Sequence, residues 1–231
     1  MRRRGGADGT RAGEERARSL IRHGYVIAGG TIAALSAAHI VGVRLLDNAI
    51  TNLNADEEGN VLAWAGSASI FAAAFAALVL ALTAASVDGR LLAVAGIAAA
   101  LSLDDAIVLH ERLAKRVVDA LGMSEGAQRL AWPPIYLPLL AVMLFLLLDA
   151  ARRIPPTAGR SLRVGLGLLG LAVATELVSA YPMIVLDVEL GSWPDALEVA
   201  VEESAEIGGW LLIAFALAAA AAARLARGEP R

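Results

Sequence analysis

Six predominantly apolar runs divide the chain, at 24–46, 61–86, 91–109, 132–148, 163–186 and 207–224. Each approaches the ~20 residues that a helix rising ~1.5 Å per residue needs to cross a ~30 Å hydrocarbon core. Nothing between them is long enough to make a separate domain. The pattern predicts an all-α integral membrane six-helix bundle. Residues 24–225 form a single transmembrane domain, after a disordered basic tail at 1–23 and before a short tail at 226–231. The start of the chain resembles the charged region of a signal peptide. However, the apolar run behind it is too long, and no small-residue cleavage site closes it, so the first helix is expected to be retained.

Two connections carry helical patterning. In 110–122, Leu109, Leu113, Val117 and Leu121 recur every fourth residue, so the third helix is expected to extend past the membrane or bend along its surface. In 192–206, Ser192 and Asp195 have the spacing of a capping box, with Asp where Glu or Gln is preferred. Asp195, Glu198, Glu202 and Glu206 then fall within about 80° of one another on a helix.

Composition supports the membrane reading. Hydrophobic residues make up 58% of the chain, charged residues 19%, and mean hydropathy is +0.63. Soluble domains are closer to half apolar and a quarter charged. With no cysteine, disulfides, thiolate chemistry and Cys-ligated zinc are excluded. The net charge of −3 becomes informative once it is divided between the two sides. With the N-terminus inside, the cytoplasmic pieces hold 15 basic and 6 acidic residues, and the opposite side 5 basic and 17 acidic. The excess of arginine on one side predicts that both termini are cytoplasmic, in a multi-pass protein of the bacterial inner-membrane type. Trp64, Trp132, Trp193 and Trp210 all fall toward the opposite side, where an interfacial belt would put them.

The chemistry concentrates in 101–116, LSLDDAIVLHERLAKR. Ionisable groups within a span are costly and mark a site, a pathway or a partner. Counted from the cytoplasmic ends, Asp104, Glu176, His39 and Glu206 reach similar depths, about 18–25 Å up. On one continuous helix Asp104 and Glu111 share a face, Asp105 pairs with Arg112 in spacing, and His110 points roughly opposite Asp104. A divalent cation of unassigned identity is therefore expected, with Asp104, Asp105, Glu176, Glu206, His39 and His110 as its metal ligands. Glu111 or Glu202 would be the general base of an enzyme. Oxygen donors suit calcium, magnesium or manganese, whereas histidines turn the choice to zinc or iron. Structural readings compete at several positions. The 195–206 stripe also reads as a solvated helix face. Asp105 and Glu111 have Arg112, Lys115 and Arg116 near in sequence, and His39 alone reads as an interhelical hydrogen-bond partner. Glu176 has no basic neighbour in sequence, and Tyr136 lies where it could donate into the cluster.

LDDAIVLHERL followed some ninety residues later by EVAVEESAEIGGW resembles uncharacterised prokaryotic polytopic membrane proteins with an Asp-Asp/Glu…His-Glu and Glu-Glu…Glu signature. That resemblance implies no activity. Ser36 and His39 are faintly similar to the first motif of ceramidase-like seven-helix zinc hydrolases. The paired late histidines and seventh helix of that family are absent, and none of its residue roles carries over.

Three functions follow as expectations. One is a metal-dependent hydrolase acting on a lipid or interfacial substrate. Another is a proton- or cation-coupled transporter, and the third a scaffold in which the cluster is a structural clasp. The bilayer is the expected partner, a lipid or small molecule the expected substrate, and no nucleic acid is expected. The sequence leaves the choice between enzyme and non-enzyme, and the oligomeric state, open.

Overall fold

The computed structural model describes residues 4–55, 60–122, 128–186 and 192–227, with side chains described for 13–55, 60–110, 112–122, 135–178 and 192–227. Those residues form seven α-helices: α1 (Arg4–Ile40), α2 (Val61–Leu82), α3 (Gly89–Ile107), α4 (Leu109–Leu121), α5 (Gln128–Arg153), α6 (Pro156–Leu186) and α7 (Trp193–Ala226). A π-helical turn (Val41–Leu45) and a 3-10 turn (Thr51–Leu53) link α1 to α2. Five helical segments are long and apolar enough to cross a membrane; α3 and α4 meet that test only as a pair bent by 71°. The seventh helix is α4, which falls in the 110–122 connection where helical patterning was expected, and the spans number five, or six if the bent α3–α4 pair is counted as one.

The break has no proline or glycine. Val108 takes left-handed dihedrals (φ 55°, ψ 42°), ends α3 and starts α4. That conformation is unusual for a β-branched residue. A correction concerns the basic N-terminal segment. It is helical from Arg4 on rather than a disordered tail, and Ala17 and Ile21 are buried.

α7 is the central helix, packed against α1, α2 and α6. It runs antiparallel to α1: Gly13 lies against Ala223 and Ala226, Gly24 against Phe215, Ile32 against Gly208, and Ser36 against Ser204. α6 crosses α7 where two glycines meet. A Cβ on Gly165 would stand 2.7 Å from the Gly209 carbonyl oxygen, and one on Gly209 would stand 2.9 Å from that of Gly165. Helix association in a bilayer depends on close packing, which small residues permit. Gly165 makes such a contact, whereas Gly167 and Gly170, also on α6, have nothing within 4 Å of a built Cβ.

The bundle has two chemically different ends. At the basic end Asp88 caps α3, accepting from the Arg90 amide at 3.0 Å and the Leu91 amide at 3.3 Å. Arg153, on the last turn of α5, reaches Asp88 at 2.6 Å and Asp149 at 2.9 Å, and Arg90 reaches Asp149 at 2.9 Å. Burial pushes the Asp88 carboxyl up. The Arg153 hydrogen bond and charge, with the amides of Leu91 and Arg90, outweigh it and hold the group below its ordinary range. The acidic end holds the start of α2 and α7, the end of α3, and α4.

Candidate carboxylate site

At the acidic end two adjacent residues of α3 face different partners. Asp104, 9% exposed, accepts a hydrogen bond from the Tyr136 hydroxyl of α5 at 2.7 Å on one oxygen. Its other oxygen lies 2.9 Å from His110 Nδ1, and the His110 and Tyr136 rings meet edge-on at 6.1 Å. The Val108 break makes this possible: α4 bends aside by 71°, and His110 meets Asp104 instead of pointing away from it. Opposite faces of one helix are thereby corrected to direct contact. Tyr136 donates into the cluster as expected.

Asp105 points to α2, where the Ser67 hydroxyl donates to it at 2.5 Å. Ser102 donates to the Ser67 carbonyl oxygen at 2.8 Å and ties the same two helices together. Asp105 also lies within electrostatic reach of Glu206 on α7, which in turn senses Glu176 and His110 and accepts a hydrogen bond from Trp210. One turn earlier, Glu202 lies within electrostatic reach of Glu176, Glu198 and Glu203. Asp105, Glu176, Glu202 and Glu206 therefore form one neighbourhood, and His110 joins it to Asp104.

The acidic stripe of α7 is not a solvated face. Asp195 is 7% exposed, and Glu198, Glu202 and Glu206 are half-buried. Both Glu198 carboxyl oxygens are buried from solvent. Ser192 takes the N-cap position, but its side chain makes no capping bond, so the expected capping box is not formed. Beside it the Arg44 guanidinium lies 5.0 Å from the centre of the Trp193 ring, a cation–π contact between the ends of α1 and α7.

His39 is engaged elsewhere. At 1% exposure it accepts from the Ala55 amide at 2.9 Å and faces Asp195 and the Ala196 backbone, fastening the α1–α2 connection to the start of α7. The hydrogen-bonding reading of His39 thus has direct support, and its place as a ligand has none. Glu111 lies in α4, with its side chain outside those described. Among the described residues, no three His, Asp or Glu side chains are gathered to hold a metal ion.

Ser67 and Glu198 were not singled out individually from the sequence. Ser67 did leave a signal, as one of two serines, with Ser69, in an otherwise apolar helix.

One family model matches residues 22–221, which include every helix that builds this site. The chain belongs to the DUF8692 family, a domain of unknown function. No curated protein and no solved structure matches it. Membership in DUF8692 assigns no activity.

Proposed function

We propose that this DUF8692 protein is a multi-pass membrane protein with cytoplasmic termini, whose extracytoplasmic carboxylate–histidine cluster takes up a cation, in the first place a proton. The observation that carries this is the convergence of acids from three helices: Asp105 of α3, Glu176 of α6, and Glu202 and Glu206 of α7. Like charges this close are tolerated when a proton or metal ion lies between them. A shared proton needs only two neighbouring carboxyls, such as Glu198 and Glu202, four residues apart on α7 and within electrostatic reach of each other. A divalent ion, the sequence's expectation, needs several ligands drawn closer than the described side chains are. The cluster sits above an apolar stretch of α7, buried at Ile213, Leu217 and Ala220, which gives a transport path little support.

The Asp104–His110 pair favours a second reading, a hydrolase acting on a lipid or other interfacial substrate. An imidazole oriented by a carboxylate has the arrangement of a general base. In that reading His110 takes the role assigned from sequence to Glu111 or Glu202.

Infrared difference spectroscopy of the full chain in lipid nanodiscs tests the proton reading, because it sees protonated carboxyls directly. We expect such a band at neutral pH, and its reduction in Glu202→Gln. No band, with one equivalent of a divalent metal in the purified protein, would replace the proton by a metal. Absence of both would end the cation reading.

A further inference from the structure

The bend at Val108 leaves α4 as a short helix with three distinct faces. Ala114 and Val118, 1% and 3% exposed, turn inward. Leu109, Val117 and Leu121 are 41%, 38% and 68% exposed on a second arc. They continue the exposed apolar side of α3, where Leu103 and Ile107 are 60% and 43% exposed. On the third arc, at 100° per residue, stand Arg112, Lys115 and Arg116 with Asp119 among them, all exposed. Among the described side chains none of these three cations has an ion-pair partner. They are notable at this end, because only five of the chain's 20 basic residues were assigned to that side.

An apolar arc in line with the bilayer-facing side of α3, next to a cationic arc, is the pattern of a helix lying in the membrane interface. We infer that α4 is an interfacial lipid-binding helix, whose Arg112, Lys115 and Arg116 hold anionic phospholipid headgroups at the leaflet on the acidic end. This rests on the membrane reading above. Charge complementarity selects the occupant, since a zwitterionic headgroup offers these cations no net attraction. The acidic residues elsewhere at this end would repel the same lipid, so the attraction is confined to the basic arc of α4. Bound there, the lipid would lie beside the Val108 break and hold α4 in the orientation that brings His110 to Asp104.

The absence of cysteine makes the test clean. A fluorophore on Ala120→Cys would be placed in nanodiscs containing brominated phosphatidylcholine or brominated phosphatidylglycerol at equal mole fraction. A second probe on Phe145→Cys, an exposed position inside α5, reports the bilayer itself. We expect both lipids to quench the α5 probe equally. At the α4 probe, phosphatidylglycerol should be enriched on the order of tenfold over phosphatidylcholine. High salt and the triple variant R112Q/K115Q/R116Q should abolish that enrichment while leaving phosphatidylcholine quenching in place. Equal quenching by the two lipids at α4 would overturn headgroup selection. No quenching at α4, with normal quenching at α5, would overturn its interfacial position. No quenching at either probe would overturn the membrane reading and this inference with it. The three side chains are exposed, so the variant should fold; an unchanged melting temperature in detergent checks that.

Discussion

Asp88 and Asp104 are both largely buried carboxylates near the ends of α3, and they are held in opposite ways. At the basic end, Asp88 has the Arg153 guanidinium at 2.6 Å, in a network with Arg90 and Asp149. At the acidic end, Asp104 is held by a phenol and an imidazole, Asp105 by a serine hydroxyl, and Glu206 by an indole. An arginine is permanently charged and keeps its partner ionised. A hydroxyl or indole positions a carboxyl without fixing its charge. The first arrangement is a latch between α3 and α5. In the proton reading proposed above, the second would leave protons exchangeable.

The largest expected effect tests how much fold the acidic end carries. Asp104→Ala removes the acceptor of two side-chain interactions at a buried position. At ~1.5 kcal/mol for each hydrogen bond to a charged group, it should cost about 3 kcal/mol, read as a lowered melting temperature in detergent. Asp104→Asn keeps one acceptor oxygen and should recover part of the loss. A cost under about 0.5 kcal/mol for the alanine variant would mean that the Tyr136–Asp104–His110 contact is not holding α4 at all.

At the basic end, Asp88→Ala removes a helix cap and an ion pair together, for about 2 kcal/mol. Asp88→Asn keeps the capping oxygen and should cost about half that. The sign of the pH dependence follows from the lowered Asp88 carboxyl. Its ionised form favours the folded state, so its contribution is complete above the ordinary carboxyl value of about 4 and disappears as pH falls through the lowered folded value. The gap between wild type and Asp88→Asn should be constant at neutral pH and close only in acid. A gap that closed on raising the pH would contradict the latch.

This contrast was only partly legible in the sequence. The apolar runs placed the helices well, because span length is fixed by a single physical requirement, and arginine counts separated the two ends. Depth alone singled out Glu176 and Glu206 beside Asp104, and the structure places both within electrostatic reach of Asp105 or Glu202. A bend after the third helix was among the expectations, but its place at Val108 was not, because IVLH contains no glycine or proline to mark it. That one residue decides whether His110 meets Asp104. The tail failed for the converse reason. Its composition is polar, yet Gly13, Ala17 and Ile21 are spaced to pack on the end of α7, a match visible only once α7 is in place. Depth could not show which way the His39 ring turns, and its Nδ1 accepts from the Ala55 amide.

A smaller effect sharpens the contrast within α2 and α3. Ser67→Ala deletes the hydroxyl that donates to Asp105 at 2.5 Å. The cost should be about 1 kcal/mol, because Asp105 is only half-buried and water can replace the donor. Ser67→Thr keeps the hydroxyl and should restore stability. The infrared carboxyl band should also shift in the alanine variant, which a purely structural serine would not cause.

The smallest effect on stability is the most discriminating, because it differs in sign between the two ends. Glu202→Gln removes one negative charge while keeping size and polarity. If its carboxyl carried a lone charge satisfied by an arginine, the change would cost about as much as Asp88→Asn. Its neighbours are instead Glu176, Glu198 and Glu203, so neutralising it relieves repulsion. The variant should be at least as stable as wild type, with a change within about 0.5 kcal/mol of zero or favourable. Chelator separates the two forms of the cation reading. With shared protons it should move neither melting temperature. With a bound divalent ion it should lower that of wild type, through loss of ligand-linked stability, and lower the variant's less. A Glu202→Gln protein much less stable than wild type and indifferent to chelator would mean that the carboxylate is latched like Asp88. The two ends would then be alike.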